Sequence, residues 1–260
     1  MIPALRTAAS GMQGQQFNID TIANNLANVN TIGFRRSRAE FADLLYQNLR
    51  TPGSQSSAST RVPAGIQIGL GTRLTAVQKL FNQGNLRSTR NPLDLAIQGN
   101  GFFQILLPDG LTAYSRAGNF TANENGQLVT PDGYMMQPQI TIPAEAEAVT
   151  IEADGTVSAL QQGQTTTLGN IQIATFINPA GLQSRGSNLF IETTASGAPN
   201  VGNPGTNQFG TILQGYQESS NVNIVEEMVD MIIAQRAYEA SSRAIAVSDE
   251  MLTTATNLTR

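Results

Sequence analysis

Cysteine and histidine are both absent from the 260-residue chain. Without thiols there is neither a disulfide nor a thiolate metal site. Without imidazole there is no Ser-His-Asp triad and no His-ligated metal. Charge is also scarce, at 13% of residues against a usual quarter or so. Glutamine, asparagine, threonine, serine and glycine fill the gap and give a polar surface on which copies repel one another only weakly. The net charge of -4 and pI near 4.9 argue against a nucleic-acid footprint. Lysine is nearly missing: of 15 basic residues all but Lys79 are arginine. Arginine suits directional interface contacts, and GC-rich coding gives the same bias; both readings stay open. No apolar run is long enough to span a bilayer. The first residues hold Arg6 in a mixed stretch with no apolar core of a signal peptide. The expectation is a protein that is not membrane-inserted and is exported, if at all, without a cleaved signal peptide.

Two heptad segments stand at the ends. Leu5, Met12, Ile19 and Leu26 recur every seven residues, and so do Ile224, Met231, Tyr238, Ile245 and Leu252. This period is that of helices lying along one another. Helices are predicted over 3–30 and from 224 to about 258, the second capped by Asn223 with Glu226 and Glu227 in its first turn. Gly11, Gly14 and the asparagines at 24, 25 and 28 weaken the first helix, which therefore needs a partner. Val225, Val229, Ile232 and Ile233 add apolar faces that one partner helix does not cover. Contacts with further chains account for them, as does packing on the chain's own β region.

Between the helices the pattern changes. Gly33 reads as a break. Ser37-Arg38-Ala39-Glu40 has capping-box spacing and predicts a short helix with Phe41, Leu44, Leu45 and Leu49 on one face, ended by Pro52 and Gly53. Residues 51–65 read by composition as a flexible connector. From about 66 to 215 the pattern is β, with tight-turn signals at Pro108-Asp109-Gly110, Glu124-Asn125-Gly126, Pro131-Asp132-Gly133 and Asp154-Gly155. An antiparallel sandwich or irregular barrel is expected, with 197–210 as a return linker.

Chemical motifs are mostly missing. Gly99-Asn100-Gly101 lacks the third glycine of a dinucleotide fingerprint and is followed by a strand pattern, so it reads as a turn. The stretch from Thr121 to Asp132 mimics a calcium loop but lacks its bidentate glutamate and reads as a hairpin. Arg35, Arg36 and Arg38 form a basic cluster. They read either as a solvated helix start or as partners of Glu226, Glu227 or Asp230 in the returning helix or a neighbouring copy. No catalytic, cofactor or metal site is expected.

Three blocks, in order, carry a resemblance. ANNLANVNTIGFRR (23–36), GNGFFQI (99–105) followed by AYSRAGNFTANENGQLVTPDGY (113–134), and QESSNVNIVEEMVDMIIAQRAYEASSRAI (217–245) are similar to the signatures of flagellar basal-body rod and hook proteins. Ser115 stands where many relatives have threonine, a conservative difference. The length and the stretch 46–67 resemble the distal-rod branch of that family. The resemblance implies an exported subunit that passes unfolded through the type III apparatus. Copies polymerise into a hollow, rigid helical shaft that crosses the periplasm and carries torque to the hook. Implied partners are further copies, proximal-rod, hook and hook-junction subunits, the P- and L-ring proteins as bushing, and the export apparatus. It also implies that 51–65 is ordered against neighbours.

The expected fold is α+β, with terminal helices forming a coiled coil around an inserted, mainly antiparallel β domain. Its expected parts are 1–36 (helix), 37–70 (short helix plus extended stretch), 71–215 (β-rich outer domain) and 216–260 (helix pairing with 1–36). Beyond the two heptad seams, interface candidates are Val225, Val229, Ile232, Arg35, Arg36, Tyr46, Arg50, Gln55 and Arg61. A hook or proximal-rod subunit is the alternative in the same class. A periplasmic carbohydrate-binding or hydrolytic β domain is the alternative in a different one.

Overall fold

A computed structural model describes residues 2–53, 63–206 and 208–258. Helices α1 (Ile2–Ala27) and α2 (Ile224–Leu258) bracket a long series of short strands. The chain divides into two compact units. The first holds α1 up to Leu26, Ser37–Gln78 and the chain from Asn223; the second holds Ala27–Arg36 and Lys79–Val222. The units change over at 36/37, where a boundary is expected, and also at 26/27, 78/79 and 222/223.

In the first unit the strands are β1 (Ser37–Asp43), β2 (Tyr46–Arg50), β3 (Ile66–Gly69) and β4 (Thr72–Lys79). β1 pairs with β4, and β2 pairs antiparallel with β3. The short helix expected over 37–51 is therefore absent: that stretch is two strands. The reason is tertiary. Asn25 of α1 clamps Ser37 on both sides, accepting its N–H at 2.8 Å and donating to its carbonyl at 2.8 Å. The backbone that a capping box would turn into a helix is held extended instead. The Leu44 N–H donates to the Gly71 carbonyl and the Leu70 N–H to the Leu45 carbonyl, pairings too distant in sequence for local spacing to show. Gly14 is buried, and a Cβ there would lie 3.3 Å from the Phe41 ring. The glycine that weakens α1 lets a strand approach it.

α1 stops at Ala27, short of the expected 30. The Thr31 N–H donates to the Asn28 carbonyl and the Thr31 hydroxyl to Asn28 Oδ1. Asparagine's competition for local hydrogen bonds explains the early stop.

The second unit contains β5 (Leu86–Ser88), β6 (Leu95–Gln98), β7 (Phe102–Leu106), β8 (Thr112–Ser115), β9 (Thr121–Ala122), β10 (Leu128–Val129), β11 (Met135–Gln137), β12 (Ala148–Ile151), β13 (Thr156–Gln161), β14 (Gln164–Asn170), β15 (Ile173–Thr175), β16 (Gln183–Gly186), β17 (Leu189–Ile191), β18 (Asn200–Gly202), β19 (Thr211–Gln214) and β20 (Tyr216–Glu218). The largest sheet runs β16-β17-β8-β7-β11-β10-β9 and branches where β15, itself paired with β18, shares an edge of β7 with β11. Smaller sheets are β12-β13-β14, β6-β19 and β5-β20. Every pairing with a register here is antiparallel. The turn signals hold: Gly110, Gly126, Gly133 and Gly155 all have positive φ. The stretch 121–132 is the β9-β10 hairpin and its flank. The expected linker 197–210 contains a paired strand, β18.

Alternation along β7 feeds two cores. Phe103 and Ile105 enter a cluster with Leu95, Ile97, Phe120 and Ile212. Phe102 enters another with Tyr114, Phe176 and Phe190, where edge-to-face ring contacts recur, such as Tyr114–Phe176 at 4.8 Å.

A buried ionic cluster ties the signature segment 27–36 into this unit. Glu218, at the end of β20, is fully buried. Its Oε1 lies 2.8 Å from Arg35 Nη2 and its Oε2 lies 2.8 Å from Arg116 Nε. The Gly84 N–H also donates to Oε1, and the Gly33 N–H donates to the Glu218 carbonyl. Arg116 donates further to the carbonyls of Ile97, Gly99 and Gly101. Burial lowers the Arg35 pKa, with the Glu218 carboxylate opposing that shift and the Arg116 charge adding to it. Arg35, expected as a contact for a neighbour or for the returning helix, is 1% exposed and internally paired. A guanidinium taken out of water requires a carboxylate close by, and Glu218 supplies it. Arg38 pairs on the surface with Glu40.

Two outcomes follow for this unit. Glu218→Gln leaves two buried guanidiniums without their counter-charge and is expected to cost about 3–5 kcal/mol, read by urea denaturation of the monomer. Gly33 has φ +70°, and a Cβ would sit 2.6 Å from the Ala117 nitrogen. Gly33→Ala is therefore expected to lower the melting temperature, whereas Gly53→Ala, at a positive φ with nothing nearby, is expected to lower it less.

Candidate functional site

The exposed apolar residues are the candidate site, and α2 carries the largest group of them. The Val225 N–H donates to Asn223 Oδ1 at 3.1 Å, and the Glu227 N–H donates to the Asn223 carbonyl at 3.0 Å, which starts the helix as the cap predicts. Asn25 Nδ2 of α1 donates to Glu227 Oε2 at 3.1 Å. Fourteen residues toward the start of α1, a Cβ on Gly11 would lie 3.5 Å from Ser241 Oγ, fourteen residues further along α2. The helices of the first unit thus run side by side in opposite directions, and the two contacts are two heptads apart.

The side chains at this contact are small or polar. The heptad leucines and isoleucines flank them: Leu5, Met12, Ile19, Leu26, Met231, Ile245 and Leu252 are half-buried. Tyr238 and Ile224 are exposed. Among the described side chains, Ala234 and Glu227 are the buried residues of α2, and Ile22, Asn25 and Gly14 those of α1.

The remaining apolar residues at the start of α2 stay in solvent. Ile224, Val225, Met228, Val229, Ile232 and Ile233 are 46–70% exposed. Val225, Val229 and Ile233 recur every four residues on one side of the helix, and Val247 and Met251 extend that side. Each full burial is worth about 1.5–3 kcal/mol. The β2-β3 hairpin is similar: Leu45 is 83% exposed, and Tyr46, Leu49, Ile66 and Ile68 are also exposed. Arg50 is exposed beside them. Gln55 and Arg61 lie outside the described residues. An apolar groove of about 720 Å³, lined by Ala4, Ala8, Ile68, Ala240 and Ala244 among others, opens between α1, α2 and β3. Arg36 is half-buried, and its backbone N–H donates to Asn221 Oδ1.

Three side chains that organise the molecule escape a sequence reading: Asn25, Arg116 and Glu218. The one local signal is at Asn25, where helix-disfavouring asparagines interrupt a heptad. Among the described residues no group of three or more carboxylates is placed to hold a metal ion, and no helix is long and apolar enough to cross a membrane.

Comparison with known proteins agrees with this layout. Residues 5–35 match the family described as flagella basal body rod protein, 96–159 the flagellar hook protein FlgE/F/G D1 domain, and 213–258 the flagellar basal body rod FlgEFG protein C-terminal region. The flagellar basal-body rod protein FlgG of Caulobacter vibrioides is 53% identical over 252 residues, covering 96% of each chain. FlgG of Borreliella burgdorferi is 51% identical over 264 residues and FlgG of Bacillus subtilis 41% over 266, each covering 100% of both chains. Full-length identity at this level, with all three segments matched in order, settles the family: the chain is a structural member of the flagellar basal-body rod proteins.

Proposed function

We propose that the chain is the distal-rod subunit of the bacterial flagellum. Copies assemble into a hollow, stiff helical shaft that carries motor torque across the periplasm to the hook, and the lumen serves as an export channel. The terminal helices pack as coiled coils around the channel, and the β-rich unit forms the outer layer. Proximal-rod, hook and hook-junction subunits are the axial neighbours, and the P- and L-ring proteins form the bushing. Subunits arrive unfolded through the export apparatus. The observation that carries this reading is the exposed apolar side of α2, which gains stability only when another chain covers it.

The heptad positions Leu5, Met12, Ile19, Leu26, Met231, Tyr238, Ile245 and Leu252 form the seam in this reading, with Ile224, Val225, Val229 and Ile232 facing neighbours. The β2-β3 hairpin supports the distal assignment. A two-stranded ribbon with exposed residues on both strands is marginal in water, so in this reading β2 and β3 are held by adjacent subunits and stiffen the shaft; residues 54–62 between them lie outside the described residues. A hook-type role is the second reading, because residues 96–159 match a family model that includes hook proteins.

Deleting 46–67 separates the two. The expected result is a polymer that still forms but bends more, seen as a shorter persistence length in electron micrographs; an unchanged persistence length would remove the distal-rod assignment. In the free monomer, backbone amides of α1 and α2 are expected to exchange much faster than those of β7 and β8, because the helices lack the partners that bury their apolar sides. Equal protection in hydrogen exchange would contradict this.

A further inference from the structure

The second unit contains a cavity of about 790 Å³ that the assembly reading leaves unused. That volume is in the usual range of sites for small organic molecules. Arg35 and Arg116 line it, but both guanidiniums are buried and bonded to Glu218, so they are not what a ligand meets. Among the described residues no carboxylate and no lysine lines it. The groups left accessible are uncharged.

These accessible groups are of two kinds. Gln98, Asn100, Asn200 and Gln208 bring exposed side-chain amides from β6, the bend after it, β18 and the loop before β19. No hydrogen bond ties any of these four side chains to another described residue. A carboxamide both donates and accepts, so it suits a partner group that does both. Phe81 and Phe209 supply aromatic surface. Each is half-buried, packed against a core cluster and also lining the cavity. Ile177 adds apolar surface at the same cavity and is 96% exposed.

We infer that this cavity binds a neutral saccharide. A sugar ring carries hydroxyls that donate and accept around its edge and C–H groups on its faces, so it meets the amides and the aromatic and apolar surface together. A charged ligand finds no accessible counter-charge here and loses hydration without compensation. A purely apolar ligand leaves the amides desolvated and unpaired. A peptide main chain shares the donors and acceptors but lacks the C–H face. The inference is independent of polymerisation, because the cavity is within one unit and is tested on the monomer.

Saturation-transfer NMR on the full-length monomer tests it with two neutral sugars: chitotriose, which carries acetamido groups, and maltotriose, which carries hydroxyls alone. Transfer to one or both is expected at millimolar sugar. The double variant N100A/N200A removes two exposed amides and leaves the core and the Arg–Glu cluster intact. It is expected to keep the melting temperature and weaken the affinity about tenfold. Gln208→Ala, on a separate loop, is expected to weaken it about fivefold, which keeps the test open should the double variant melt early. No transfer to either sugar overturns the proposal. Transfer that both variants leave unchanged puts the sugar elsewhere and overturns the cavity as its site. Equal transfer to a blocked dialanine amide, lost in the same variants, overturns saccharide as the ligand class.

Discussion

The Glu218 carboxylate, held between the Arg35 and Arg116 guanidiniums at 2.8 Å on each side, is the contact on which the second unit depends. None of these charges is tolerable alone in a dry interior. The turn before Arg35, the loop at 82–84, the 97–101 bend and the end of β20 must therefore arrive together. Arg116 reinforces this by satisfying three carbonyls of the 97–101 bend, which holds Gly99 and Gly101 at positive φ between two strands. Phe34, next to Arg35, is buried, with the Lys79 ammonium 5.1 Å from its ring. A segment that looks like the tail of a helix is a structural part of a β unit.

The first unit follows a different rule. Its internal contacts use small and polar groups: Gly14 under Phe41, Gly11 beside Ser241, and Asn25 bridging Ser37 and Glu227. Large apolar side chains of α2 and of the β2-β3 hairpin point into solvent instead. One unit thus closes a core on its own residues, while the other leaves its largest apolar groups to be covered from outside. For a member of the basal-body rod family this division is physically apt.

Legibility from sequence differed with the range of the forces involved. The hairpin turns were readable because Asn-Gly and Asp-Gly relieve a local steric restriction, and the start of α2 because Asn223 satisfies backbone donors within one turn. The stretch 37–50 has helical local spacing, but pairing with residues 66–79 and the clamp from Asn25 outweigh it. Arg35 reads as a solvated charge or as a partner of the returning helix or a neighbouring copy because nothing nearby in the chain shows that Glu218, 183 residues away, buries it.

By itself, the sequence determined the terminal helices, the antiparallel β region between them, the absence of cysteine and histidine chemistry, and the family. Heptad period, turn residues and composition are local or additive properties that survive without coordinates. Only the tertiary structure decided that α1 ends at Ala27, that 37–50 is two strands, and that 27–36 belongs with the β unit. It alone left the apolar side of α2 bare. Those outcomes depend on which distant residues meet, because burial sets the cost of an unpaired charge and the gain from an apolar contact, and neither is written in local spacing.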